Sequence, residues 1–172
     1  MKISIALISL LSGIGVFFAC SNVKIDFKND FQKSEKAWMD FKNTSNNSYQ
    51  YTVVGGSWVG SGWETKLTVK NGVITERYYK LTPPPDSESQ EVIEWTEDSQ
   101  NLNTHETSAA ASAINMDEIY MKAKQEWLIK REDSKSYFEV NSEGILTVVG
   151  YVPNGCQDDC FVGVNIKSIE ML

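Results

Sequence analysis

The chain is poor in the residues that most often build metal centres and disulfide frameworks, with one histidine and three cysteines among 172 residues. It also lacks a basic excess: 16 Lys and Arg face 23 Asp and Glu, for a formal charge of −7. A nucleic-acid binder needs a positive footprint to displace phosphate counterions, so that class is excluded. No Gly-x-Ser-x-Gly elbow, phosphate-cradling glycine loop or dinucleotide fingerprint occurs. Gly60-Ser61-Gly62 is too short for a nucleophile elbow, and His105 lies in a polar loop beside Glu106. These absences disfavour an enzyme, and no catalytic residue, cofactor or metal ligand set is assigned. The longest apolar run, Ile3 to Ala19, has 17 residues broken by three serines and two glycines, short of the about 20 that a spanning helix uses. What is present is core material, since 11% of residues are aromatic, enough to exclude a disordered chain and to fit one globular domain.

Lys2, the apolar run and a small residue before a cut make a signal-peptide pattern. Its end, Phe17-Phe18-Ala19-Cys20, resembles the lipobox of bacterial lipoproteins, with Phe where Leu is usual three residues before the cysteine. The resemblance implies a signal peptide over 1–19, a lipidated Cys20 with a short tether over 20–29, and a single domain over 30–172. A secreted protein with a chance cysteine after the cut is the competing reading. Removing 1–19 takes away Lys2 alone, leaving 15 basic and 23 acidic side chains and a charge of −8. A nine-residue stem from Ser21 to Asn29 reaches at most about 30 Å. The expectation is therefore a bacterial cell-envelope protein held to a membrane by lipid on Cys20. Ser21 is compatible with outer-membrane sorting where the cell has two membranes.

In the body, Phe31, Trp38 and Phe41 form a helical stripe over Asp30–Asn46, with Asn29 or Asp30 as its cap. Tyr49–Val54 alternates as a strand, Gly55–Gly62 reads as a wide loop, and Trp63–Val69 alternates again. Asn71-Gly72 is a hairpin signal. Cross-strand charge favours a bulged turn pairing Lys66 with Glu76, Val69 with Val73 and Trp63 with Tyr79, over one that sets Lys66 against Arg77. The strand from Val73 ends at Pro83-Pro84-Pro85, Glu91–Trp95 reads as a short edge strand, and Asp98–Ala113 as an irregular, poorly ordered connection. Asn115 caps a second helix, with Glu118 completing a capping box. Its apolar face is Met116, Ile119, Tyr120, Ala123 and Trp127. Three strands follow: Tyr137–Val140, Ile145–Val152, which is apolar on both faces and so expected to be central, and Phe161–Ile166 with Val162, Val164 and Ile166 inward. The order helix–strands–helix–strands predicts an α+β fold, an antiparallel sheet with two helices on one face.

Trp38, Tyr49-x-Tyr51, Asn71-Gly72-Val73, the Asp117-Glu118 helix start, Gly150-Tyr151-Val152-Pro153 and Asp158-Asp159 follow one another in an order similar to a family of small bacterial lipoproteins known only as a domain of unknown function. The likeness spans roughly residues 38 to 170. It departs in the extra residue between Tyr151 and Pro153 and in the Cys156–Cys160 pair. It implies a fold and a compartment, and no catalytic residue.

Three features stand out as candidate sites. Cys156 and Cys160, four positions apart in an exported chain, are expected to form a disulfide, worth about 2 kcal/mol in the chain-entropy picture. The alternative is a thiolate metal site with His105, which fails the usual ligand spacing. Asp158 and Asp159 could bind Ca²⁺, with help from Asn154, or form a solvated turn. Trp58, flanked by glycines, is either an exposed binding residue or folds back over the sheet edge. The function expected is a non-enzymatic envelope module that binds an unidentified envelope protein or ligand. The alternatives are a Ca²⁺- or Zn²⁺-dependent protein using the 156–160 loop and a hydrolase-inhibitor-like module.

Overall fold

A computed structural model describes residues 24–105 and 109–172. Cys20 and the signal segment lie outside the described residues. The apolar stripe becomes helix α1 (Lys28–Thr44), which buries Phe31, Ser34, Trp38 and Phe41. It starts ahead of the expected Asn29–Asp30 cap: Phe27 enters it with φ 56° and no side-chain cap, and Asp30 sits in the first turn, where its charge suits the helix dipole. Two residues expected to belong to the short tether, Ile25 and Asp26, are pinned to the domain. Ile25 bridges Ile129, the Asp26 N–H donates to Leu128 O at 2.8 Å, and Ser136 Oγ donates to the Asp26 carboxylate at 2.8 Å.

The strands are β1 (Tyr49–Gly56), β2 (Gly62–Lys70), β3 (Val73–Thr82), β4 (Ile93–Asp98), β5 (Ser134–Val140), β6 (Leu146–Pro153) and β7 (Val162–Met171). They form one seven-stranded sheet in the order β4-β3-β2-β1-β7-β6-β5, and every pairing is antiparallel. The fold is therefore α+β on an antiparallel sheet. The expected central strand is corrected: β6 lies one place from the edge and β1 holds the centre. The cause is a long-range pairing, in which the C-terminal strand returns to β1. The short strand expected at Glu91–Trp95 is β4, shifted to Ile93–Asp98 and lying at the edge.

The β2–β3 hairpin follows neither register weighed from charge. Asn71 (φ 51°) and Gly72 (φ 81°) make a two-residue turn with Lys70 opposite Val73 and Val69 opposite Ile74. A bulge then shifts the ladder, so Thr68 pairs with Glu76, Leu67 with Arg77 and Lys66 with Tyr78. The predicted Lys66–Glu76 pair is absent, and so is Lys66–Arg77. Burial sets this register. Ile74 and Arg77 are both buried, and two residues three apart share a sheet face only across an extra residue. Lys66 meets the Tyr78 ring at 5.6 Å instead of a carboxylate.

The second helix forms as its cap predicts. Asn115 Oδ1 accepts from the Glu118 N–H at 3.0 Å, and the Asn115 N–H donates to the Glu118 carboxylate at 2.8 Å. Helix α2 (Met116–Lys122) runs on into a π turn, Ala123–Trp127. Its expected apolar face is buried throughout. The Tyr49-x-Tyr51 pair of β1 holds its entrance: the Tyr49 hydroxyl accepts from the Met116 N–H at 3.0 Å, and the Tyr51 hydroxyl donates to Ile114 O. Burial pushes both phenols above their usual range. Tyr49 also meets Trp38 of α1 edge-on, ring centres 5.1 Å apart. Among the described residues no helix is long and apolar enough to cross a membrane.

Candidate functional site

The loops that carry the three features singled out from sequence lie at one end of the sheet, and Asp159 alone of those residues lines the cleft there. Because β1 and β7 are neighbours, the β1–β2 tip and the β6–β7 loop border one cleft of about 510 Å³. The tip is closed by Ser57 N–H donating to Ser61 O at 2.9 Å and by the Ser57 and Ser61 hydroxyls at 2.6 Å. The expected wide glycine loop is narrower than predicted, since Gly55 and Gly56 continue β1 and Gly62 begins β2. Gly55 is required there. The Trp63 indole of β2 occupies the space over it, and a Cβ on Gly55 would fall 2.3 Å from the ring. Trp58 crowns the tip at 83% exposure beside the exposed Val59, so it does not fold back over the sheet.

Across the cleft, Cys156 and Cys160 stand paired with Cα atoms 6.1 Å apart, inside the span of a disulfide. The loop they close carries Asp158 and Asp159. Asp159 takes φ 47° and lines the cleft with Phe161. Asn154, considered above as a helper ligand, points its side-chain amide at Glu132 O, 3.5 Å away. Among the described residues no three of His, Cys, Asp and Glu gather closely enough to hold a metal. Val162, expected inward, is exposed at the start of β7, while Val164 and Ile166 are buried.

Sequence reading missed a buried ionic cluster. Glu97 of β4 is fully buried and faces Arg77 of β3, with Arg77 Nη1 donating to its Oε2 at 3.0 Å. Glu97 also accepts from the N–H groups of Asn103 (2.7 Å) and His105 (2.9 Å) and from the Thr104 hydroxyl (3.1 Å). His105 Nδ1 lies 2.9 Å from its Oε1, and the His105 ring stacks on Trp95 with centres 4.2 Å apart. Burial opposes the charge, yet the bonds from His105, Asn103 and Arg77 outweigh it and hold the Glu97 carboxyl at about 2. Arg77 Nε donates in turn to Ala111 O at 2.8 Å.

This cluster fastens Asn103–His105 and Ala110–Ala111, described residues of the connection expected to be poorly ordered, to β2–β4. Its one trace in the sequence is parity: Arg77 falls in step with Tyr79 and Glu97 with Trp95, but Glu97 lies beyond the strand expected at Glu91–Trp95, so the pair shows only once β4 extends to Asp98. Its saturated hydrogen bonding makes it a fastening, while the cleft is lined by two aromatic side chains, Trp63 and Phe161, and one charged residue, Asp159, among the described residues. No family model matches the chain, and no curated protein or solved structure does either.

Proposed function

We propose that the protein is a bacterial cell-envelope lipoprotein, tethered through Cys20, whose domain is a non-enzymatic binding module. It binds its partner through the end of the sheet that carries the Trp58 tip and the Cys156–Cys160 loop. The observation that carries this reading is an almost fully exposed tryptophan on a tip whose Ser57 and Ser61 line the same cleft as Asp159 of the stapled loop. Tryptophan offers a large contact area at low entropic cost and is frequent among binding hot spots. The lipobox, the absence of a catalytic motif and the likeness to small lipoproteins of unknown function support the compartment and the non-enzymatic role. In this reading both helices cover one face of the sheet, in two helix-plus-meander units; the contact of Tyr49 with Trp38 of α1 and with Met116 of α2 supports that arrangement. The opposite face and the tip end are then left for partners.

The test replaces Trp58 with a photo-crosslinking phenylalanine analogue in the growing cell. Val73, exposed at the opposite end of β2–β3, serves as the control position. A discrete adduct from position 58 and none from 73 is expected, and Cys20→Ser should release the chain from the membrane fraction. Identical adduct patterns from both positions would remove the case for this end of the sheet.

A further inference from the structure

β1 and β7 are neighbours along only part of their length. Their ladder runs from Tyr49–Met171 to Val53–Ile166 and stops. Beyond it, β1 continues to Gly56 paired only with β2, and the first residues of β7, Val162–Asn165, pair only with β6. The sheet is therefore split at the tip end, and the split opens into the 510 Å³ cleft.

The direction of the main-chain groups at the split follows from the alternation of an antiparallel ladder, in which successive residues turn their N–H and C=O to opposite neighbours. At one end of β1, Ser57 N–H bonds Ser61 O on the β2 side at 2.9 Å; at the other, Leu172 N–H bonds Ser48 O from the β7 side at 3.2 Å. Counted from either end, Val54 and Gly56 turn their main-chain groups toward the split. On β7, a Cβ on Gly163 would fall 2.5 Å from Gly150 Cα and 2.1 Å from Val149 O. So close an approach marks a pair without mutual hydrogen bonds. Gly163, and by alternation Asn165, thus turn away from β6 toward the same split. All four residues line the cleft, and among the described residues none has a ladder partner on that side.

Two facing strand edges without ladder partners among the described residues take main chain as their complement. The surrounding side chains qualify the guest further. Trp63 and Phe161 offer aromatic walls, and Asp159 is the one charged residue among the described lining. Resting on the binding reading above, we propose that the cleft receives an extended peptide segment of the partner protein as an added strand between β1 and β7. The segment bonds through its main chain to Val54, Gly56, Gly163 and Asn165 and sets a basic residue against Asp159.

The test pans the full-length chain, in detergent, against random linear octapeptides and follows the selected peptides by calorimetry and by amide hydrogen exchange. Selected sequences should carry Lys or Arg near one end. Binding should slow exchange at the amides of Val54, Gly56, Gly163 and Asn165 by about tenfold or more, and N-methylation of alternate peptide amides should weaken affinity by about tenfold. Asp159→Asn keeps the left-handed turn that Asn tolerates and should weaken the basic peptides about threefold to tenfold with an unchanged melting temperature. Absence of any octapeptide binding tighter than about 1 mM, protection confined to other amides, or indifference to N-methylation at every position overturns the added strand. Crosslinking from position 58 separates the two conclusions: a partner captured there while octapeptides fail sinks the added strand and leaves the binding end standing.

Discussion

Glu97 shows how one side chain can hold a long connection in place. Its carboxylate collects donors from Arg77, Asn103, Thr104 and His105, so the charge is stabilised only in the folded chain. Its carboxyl lies at about 2 against an ordinary value of 4.5. A depressed carboxyl contributes stability that is complete above the unfolded value and is lost as pH falls through the folded one. For this buried group the displacement corresponds to roughly 3 kcal/mol at neutral pH. Glu97→Gln should therefore lower stability by about 3 kcal/mol at pH 7, since it also leaves Arg77 buried without its counter-charge. Urea titrations at a series of pH values should show the wild type losing this advantage between pH 4.5 and 2, while the variant runs flatter over that window. A variant that tracks the wild type across the window would show that the cluster holds nothing.

At the scale of elements, the parts fixed by local chemistry were legible and the parts fixed by distant partners were not. The capping box at Asn115–Glu118 and the buried stripe from Met116 to Trp127 stood in the sequence because both depend on residues near one another along the chain. Asn115→Ala removes the acceptor for the Glu118 N–H and should cost about 1 kcal/mol, read as a lower urea midpoint with an unchanged m value. An unchanged midpoint would mean that the hydroxyls of Tyr49 and Tyr51 position this helix start without the cap. The β2–β3 turn was also legible at Asn71-Gly72, but its register was not, because charge pairing across the ladder competed with burial and burial prevailed. An inward Arg77 reads as a surface residue until Glu97 is known to face it. The cleft was legible only as two separate loops: the glycines around Trp58 and the stapled acids came from the sequence, and their meeting required the return of β7 to β1.

That return also decides how the whole molecule behaves. Without the β1–β7 ladder the chain would be two helix-plus-meander units, each with part of a core. With it, buried residues of α1, α2 and strands from both units merge into one cluster. Tyr120 sits at the junction. Its hydroxyl donates to Ser34 O of α1 at 3.1 Å, lies 2.7 Å from Ser34 Oγ, and accepts from the Leu146 N–H of β6 at 3.1 Å. Its ring stacks on Trp38 with centres 6.1 Å apart. Tyr120→Phe keeps the ring and leaves the Leu146 N–H and the Ser34 hydroxyl short of a partner in the buried core. An unsatisfied buried group costs roughly 1–3 kcal/mol. Because the core is shared, that loss should fall on the whole molecule: one transition, shifted to lower urea, with tryptophan fluorescence and far-ultraviolet dichroism still coincident. A split between the two probes, or a loss confined to one of them, would mean that the units are separately stable and that the β1–β7 ladder only docks them.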